Sequence, residues 1–199
     1  IDLPAGPSEV ALYADGSADP SFVASDLLSQ AEHGIDSQVL LVVDSIEIVK
    51  EIKSEIDMQI KSLSRKKIIE KVLSTSNIVV IENVDNAFEL LNQYAPEHLI
   101  IASGKAMQLS SKVVNAGSVF LGHYSSESVG DYASGTNHTL PTNGFAKVYS
   151  GVSLDSFVKK ITFQNVSKQG LQNIGKAVEL MADAEGLDAH KNSVSIRLK

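Results

Sequence analysis

The sequence predicts an α/β fold with a mostly parallel sheet and helices on both faces, followed by a helix-rich C-terminal tail. Strand-length apolar runs alternate with helix-period segments through the first three quarters of the chain. One of these runs, at residues 38–43, is apolar almost throughout, as expected for a strand covered on both faces. We expect an incomplete Rossmann-like portion at residues 1–152 and a helical arm at residues 153–199, at a dimer interface.

The strands and helices are predicted from the period of their apolar residues. Strands are expected at residues 9–14, 38–43, 77–81, 99–102 and 118–121, with the third buried like the second. Helices are expected at residues 20–33, 46–60, 66–73, 85–93 and 105–115. In the tail, a short helix is expected at residues 154–160 and a longer one at residues 170–184, which Gly186 would end.

Residues 123–151 are poor in apolar side chains and are predicted to form a long loop after the last strand. A long loop inside a compact domain is more often functional than accidental. We place it at the carboxyl edge of the sheet, where open α/β proteins bind ligands.

The composition limits the classes of partner and chemistry. The net charge of −7, from 17 basic and 24 acidic residues, disfavours nucleic acid as a partner. The chain has no cysteine, which excludes disulfides, thiolate zinc sites and cysteine nucleophiles. No apolar run is long enough for a membrane span, and the start resembles no signal peptide, so we expect a cytoplasmic protein. The first residue is Ile1, so we expect the chain to be cut from a longer protein.

The stretch at residues 25–34 is predicted to be the end of a helix. Asp19 suits its N-cap, Pro20 its first position and Gly34 its C-terminal end. Gln30 and His33 are three residues apart and therefore share one face. The pair is either half of a metal site or a polar helix end next to the helix dipole.

Other polar residues suggest chemistry only if the fold brings them together. Gln30 and His33 with Asp131 and His190 would form a nitrogen and oxygen site suited to zinc, manganese or cobalt. His123 belongs to no motif, and we expect it on a surface loop.

Two short segments stand at turns into predicted strands. Glu97 and His98 lie at a helix-to-strand junction, where they are either a general-base pair or a solvated carboxylate beside a buried histidine. The turn at residues 4–9 either presents backbone amides and the Ser8 hydroxyl to a ligand or is a simple turn. No glycine-rich nucleotide fingerprint is present in the sequence.

Six stretches, taken in order, resemble the histidinol dehydrogenase family. They are PAGPSE at 4–9, ASDLLSQAEHG at 24–34, YAPEHL at 94–99, AGSVFLG at 116–122, GDYASGTNH at 130–138 and EGLDAH at 185–190. The resemblance runs along essentially the whole chain and covers about the C-terminal half of a typical member. Such a domain also ends fungal multifunctional histidine-biosynthesis proteins, and this chain is compatible with that origin.

The resemblance implies a zinc- and NAD-dependent homodimer that oxidises L-histidinol to L-histidine through L-histidinal. It implies that Glu97 and His98 are the catalytic pair. The implied zinc ligands are Gln30, His33, Asp131 and His190, the last donated by the partner subunit. The implied substrate contacts are Ser8, Gln30, His33, His98, Asp131, His138, Glu185 and His190.

The resemblance also sets limits on this chain. The NAD contacts of the family lie mainly in the half that is absent here, so the NAD-binding residues are unknown and we expect the chain alone to be inactive. Two alternatives stay open: a zinc hydrolase in which Glu97 activates water, and a half-domain that only binds metal or a partner chain.

Overall fold

The first structural unit is built on a five-stranded, wholly parallel sheet with the strand order β3-β2-β1-β4-β5. The computed structural model describes residues 3–4 and 6–199, so Ala5 of the predicted turn lies outside the described residues. The strands are β1 (Glu9–Ala14), β2 (Gln38–Val43), β3 (Asn77–Val80), β4 (His98–Ala102) and β5 (Ser118–Leu121). The predicted α/β class is confirmed.

The central strands are buried because both faces of the sheet are covered. Side chains alternate between the faces, so Leu12 and Ile100 pack in one core, whereas Tyr13 and Ile101 pack in the other. Helices α1 (Pro20–Ala31), α2 (Ile46–Gln59) and α3 (Lys66–Leu73) supply the first core, and α4 (Val84–Tyr94) and α5 (Ala106–Leu109) the second. The expected helices on both faces are confirmed.

Helix α1 begins as predicted but ends earlier. The Asp19 side chain accepts the backbone N–H of Ser21 at 2.8 Å, and Pro20 occupies the first turn. The helix ends at Ala31 with Glu32 as its C-cap, so the prediction that Gly34 ends it is wrong. His33 therefore lies in the turn that follows the helix.

Strand β3 is a partly exposed edge strand, so the prediction of a buried strand there is wrong. Among the described strands it pairs with β2 alone, and Ile78 and Val80 keep more than a third of their surface exposed. An apolar run alone does not distinguish an edge strand from a central one, because both need β-branched side chains.

The helix predicted at residues 105–115 is reduced to α5 and a 3₁₀ turn at Ser110–Lys112. The side chain of Asn92 explains the early end. Its Oδ1 accepts the backbone N–H groups of Val114 and Asn115 at 2.7 and 3.1 Å. These two N–H groups therefore have hydrogen-bond partners even though the helix does not continue to them.

The segment predicted as a loop at residues 123–151 contains a short helix, α6 (Glu127–Tyr132). A 3₁₀ turn at Leu154–Phe157 replaces the short helix predicted at residues 154–160. In both segments the apolar residues show no clear helical period, and hydrogen bonds from nearby side chains determine the backbone conformation.

The second unit comprises Val158–Lys199 and is helical. Its helices are α7 (Lys168–Ala184) and α8 (Asp188–Leu198). Gly186, at φ +69°, ends α7 as predicted, and the N–H of Leu187 donates to Ala182 at 2.8 Å. Among the described residues, no helix is long and apolar enough to cross a membrane.

Candidate functional site

The candidate site lies at the amino edge of the sheet, where β1 and β4 begin. His98 is the first residue of β4 and pairs in register with Val10 of β1 and Ser118 of β5. Its ring is 2% exposed and lies 6.0 Å, between centroids, from the ring of Phe120. The start of a strand therefore carries the histidine into the core beneath α1.

Helix α6 returns from the end of β5 to this same edge. Oδ1 of Asp131 lies 3.7 Å from Nε2 of His98. The Thr136 hydroxyl donates to the carbonyl of Gly130 at 2.9 Å and so fixes the end of the helix. The loop was predicted at the carboxyl edge, and for Asp131 that prediction is wrong, because α6 folds back along the sheet.

The hydrogen bond made by His98 fixes which of its ring nitrogens carries the proton. Nδ1 lies 3.2 Å from the carbonyl oxygen of Glu9, which can only accept, so Nδ1 is the protonated nitrogen. Burial lowers the pKa of His98, although Asp131 opposes this effect. The ring is therefore neutral, and its buried Nε2 has no hydrogen-bond partner among the described residues. A free lone pair of this kind can accept a proton or bind a metal ion.

Glu97 stands beside His98 and is also buried, with 4% of its surface exposed. Its Oε2 lies 3.6 Å from Nδ1 of His98, and the Ser8 hydroxyl is near enough to the carboxylate to lower the pKa of Glu97. Burial raises the pKa of Glu97 to about 7, with smaller contributions from the nearby carboxylates of Glu9 and Asp131. A carboxylate with a pKa near neutrality is suited to proton transfer.

The predicted convergence of Gln30 and His33 is present, although a turn rather than the helix produces it. Nε2 of Gln30 lies 3.4 Å from Nδ1 of His33. Gln30 is fully buried, and within the part of the chain that the structure describes its Oε1 has no hydrogen-bond partner. His33 is exposed, yet it is near enough to His98 to lower the pKa of that ring.

Sequence reasoning missed Glu127, the first residue of α6. Glu127 is 2% exposed, and none of the described residues hydrogen-bonds to its Oε2. Burial raises the pKa of Glu127 to about 8, with contributions from Asp131, Glu97 and Asp26. Glu127 and Asp131 are four residues apart and share a helix face, a signal that appears only once the segment is known to be helical.

A metal ion fits the chemistry of this cluster. Ligand atoms of His98, Glu127 and Asp131 all lie within 4.8 Å of one another. A buried polar atom without a partner costs about 1–3 kcal/mol. Two atoms of the cluster, His98 Nε2 and Glu127 Oε2, are of this kind among the described residues, and Oε1 of the buried Gln30 is a third such atom. Nitrogen and oxygen donors with an excess of carboxylates suit a divalent cation such as zinc.

The remaining predicted residues lie elsewhere in the described chain. His138 is exposed, with Nδ1 3.4 Å from the Thr139 hydroxyl. Glu185 caps α7 and His190 lies on α8, both exposed within the second unit. His123 was expected on the surface, but it is partly buried, and its Nδ1 has no hydrogen-bond partner in residues 3–4 and 6–199. It is also one of the groups that lower the pKa of Asp15.

Comparisons with known proteins identify the family. The family model described as histidinol dehydrogenase matches residues 1–198. The histidinol dehydrogenases of Bacteroides fragilis and Bacteroides thetaiotaomicron are 58% and 57% identical over the whole chain. The crystal structure of histidinol dehydrogenase from Elizabethkingia anophelis matches 99% of the chain at 55% identity, with a TM-score of 0.95. The chain spans 46% of the length of each of these three relatives. It belongs to the histidinol dehydrogenase family.

Proposed function

We propose that this chain is the C-terminal half of a zinc-dependent, NAD-linked histidinol dehydrogenase. The enzyme would oxidise L-histidinol to L-histidine through L-histidinal, in the last steps of histidine biosynthesis. Family membership supports the reaction class. One observation carries the assignment of the site: the buried, neutral His98 has a free Nε2 that faces Asp131, and its Nδ1 lies 3.6 Å from Glu97, whose pKa is about 7.

We propose that Gln30, His33 and Asp131 hold the zinc ion, with His190 of the partner subunit as the fourth ligand. The unpartnered Oε1 of Gln30 and its contact with His33 support this set. When bound, the ion would supply a Lewis-acid template that orients nitrogen and oxygen groups of the substrate. Glu127 and His98 offer an alternative donor set that shares Asp131.

His98 is proposed to act as the general base in both oxidations. In the first, it accepts the alcohol proton at Nε2 as hydride leaves the carbinol carbon, which yields the aldehyde. Its Nδ1–H stays bonded to the carbonyl of Glu9, so the ring does not have to reorient. The lowered pKa keeps the ring neutral before each transfer.

Glu97 is proposed to act between the two oxidations. Its carboxylate takes a proton from water as the water oxygen adds to the aldehyde carbon, which gives the hydrate. The hydrate then loses hydride and a proton to become the carboxylic acid. Because its pKa is about 7, Glu97 can both accept and release this proton near neutral pH.

The other members of the proposed substrate site are Ser8, His138 and Glu185. The Ser8 hydroxyl is already beside Glu97, which supports a place for it in the site. NAD, the proposed hydride acceptor, would bind mainly to residues outside this chain. A homodimer, a cytoplasmic location and a fungal multifunctional parent stay predictions.

The reaction class is tested by incubating the full-length enzyme with L-histidinol and NAD and following NADH. We expect two NADH for each histidinol consumed, and none from enzyme stripped of metal. The 199-residue chain alone should give little or no turnover. A full-length enzyme that loads zinc, hydrolyses an ester or amide, and forms no NADH would support the zinc hydrolase instead.

A further inference from the structure

The carboxylates of Glu9 and Glu97 hold each other's backbone at the start of β1 and β4. The N–H of Glu9 donates to Oε2 of Glu97 at 3.0 Å, and the N–H of Glu97 donates to Oε1 of Glu9 at 3.3 Å. Regular pairing of the two strands begins one residue later, at Val10 and His98. The two side-chain hydrogen bonds therefore satisfy backbone N–H groups at the amino edge of the sheet, just before the regular pairing of β1 with β4 begins.

Glu9 contacts both members of the proposed catalytic pair. Its backbone N–H binds the Glu97 carboxylate, and its backbone carbonyl binds Nδ1 of His98. Its own carboxylate binds the backbone of Glu97, the residue between the strand and the preceding turn. Glu9 is only 2% exposed, so bulk water does not compete strongly for these bonds.

The Glu9 carboxylate also faces the turn at Asn143 and Gly144. Both residues have left-handed backbone conformations, with φ of 53° and 72°. Their backbone N–H groups lie near enough to the Glu9 carboxylate to lower its pKa, against a larger rise caused by burial. The Glu9 carboxylate thus accepts the N–H of Glu97 and also interacts with the turn at Asn143 and Gly144, so two separate segments act on this one side chain.

We propose that Glu9 is a positioning residue for Glu97. Its carboxylate fixes the backbone of Glu97, so that the Glu97 side chain stays aligned with His98 and with the water it activates. This inference rests on the proposed function, since it assigns Glu9 to the aldehyde-hydration step. A displacement of about 1 Å at a reacting group can cost about 10²-fold in rate.

Two substitutions of similar size distinguish the effect of the hydrogen-bond acceptor of Glu9 from the effect of its side-chain volume. Glu9→Gln keeps an oxygen that can accept the N–H of Glu97, whereas Glu9→Met keeps the length but has no such oxygen. In the full-length enzyme, we expect Glu9→Met to lower kcat for L-histidinal by about 10- to 100-fold with KM nearly unchanged. Glu9→Gln should stay within about threefold of wild type, and both variants should retain zinc.

A double-mutant cycle distinguishes positioning from a general structural role. Glu9→Met should cause no further loss in an enzyme that already carries Glu97→Gln, because the group it positions is gone. Additive losses, or equal losses for Glu9→Met and Glu9→Gln, would overturn the inference. If Glu9→Met does not fold, Glu9→Asp takes its place, because its shorter side chain withdraws the acceptor from Glu97.

The same experiment keeps this inference separate from the proposed function. If the wild-type enzyme forms no NADH from histidinol or histidinal, the proposed function fails and the inference fails with it. If the wild type is active and Glu97→Gln is slow with both substrates, the proposed function stands. Additive losses in the cycle would then overturn the role of Glu9 alone.

Discussion

Nε2 of His98 lies 3.7 Å from Oδ1 of Asp131, near enough to interact electrostatically but too far for a hydrogen bond. The opposite nitrogen of the same ring is anchored to the carbonyl of Glu9 at 3.2 Å. One side of the imidazole is therefore fixed by the sheet, and the other is left free toward the acidic cluster. A general base needs this arrangement, because one nitrogen holds the ring in a fixed orientation while the lone pair of the other is free to accept a proton.

His98→Asn should reduce histidinol oxidation and leave the zinc content unchanged. Asparagine retains an N–H donor for the carbonyl of Glu9 but has no basic nitrogen, so proton transfer should slow by about 10²–10⁴-fold. NADH formation from histidinol and from histidinal, with elemental analysis for zinc, measures the effect in the full-length enzyme. His123→Asn serves as the control and should be active. A zinc-free His98→Asn protein would mean that His98 is a ligand.

The two possible ligand sets share Asp131 and differ in their other members. If zinc is held by Gln30, His33 and Asp131, then His33→Asn and Asp131→Asn should both lose zinc on dialysis, because too few ligands remain. Glu127→Gln should keep zinc, with affinity reduced by no more than about 10- to 100-fold.

Zinc content after dialysis, measured by elemental analysis in the full-length enzyme, decides between the sets and does not depend on activity. The opposite pattern, a zinc-free Glu127→Gln and a loaded His33→Asn, would assign the metal to His98, Glu127 and Asp131. Wild-type enzyme dialysed against a chelator provides the empty reference.

The titration of Asp26 should make the stability of the metal-free chain depend on pH. Burial raises the pKa of Asp26 to about 7, from 3.8 in an unfolded chain. The folded state therefore holds a proton that the unfolded state releases, so stability falls as pH rises from about 4 to about 7. Glu97 and Glu127 act in the same direction, since burial raises the pKa of each.

Asp26→Asn should remove part of this slope. With a chelator present, thermal unfolding of the chain should show a smaller fall in Tm between pH 4 and pH 7 than wild type shows. Asp57→Asn, at an exposed position on α2, should leave the wild-type slope intact. An unchanged slope in Asp26→Asn would mean that the Asp26 carboxyl is solvated in solution.

Much of the fold could be predicted because local signals and tertiary structure agree. All five strands are where their apolar runs indicate, and Asp19 caps α1 as its position before Pro20 predicts. The contact of Gln30 with His33 was also predictable, because residues three apart remain neighbours in a helical turn as well as in a helix.

The rest of the site depends on contacts between distant segments. Glu9 and Glu97 are 88 residues apart, and no local pattern indicates that each binds the other's backbone. Glu127 was missed because α6 is too short and polar to show an apolar period. The return of Asp131 to the amino edge follows from packing against Phe120, which the sequence alone does not show.

Gly130 allows α6 to pack closely on β5 and thereby places Asp131. A methyl group at this position would overlap the Phe120 ring, with Cζ only 2.8 Å away, and would press on the Thr136 hydroxyl at 3.1 Å. Phe120 is buried and cannot move freely, so the helix would have to shift. Gly130→Ala should therefore cost about 1–3 kcal/mol of stability by overpacking, despite the better helix propensity of alanine.

The same shift should move Asp131 away from His98, so zinc affinity should fall together with stability in the full-length enzyme. Gly16→Ala is the matched control, because a methyl group there meets no atom of the described residues within 4 Å. Chemical denaturation and zinc titration of the two variants measure both effects. If Gly130→Ala unfolds and binds zinc as Gly16→Ala does, α6 does not need its close contact with Phe120, and the placement of Asp131 must have another cause.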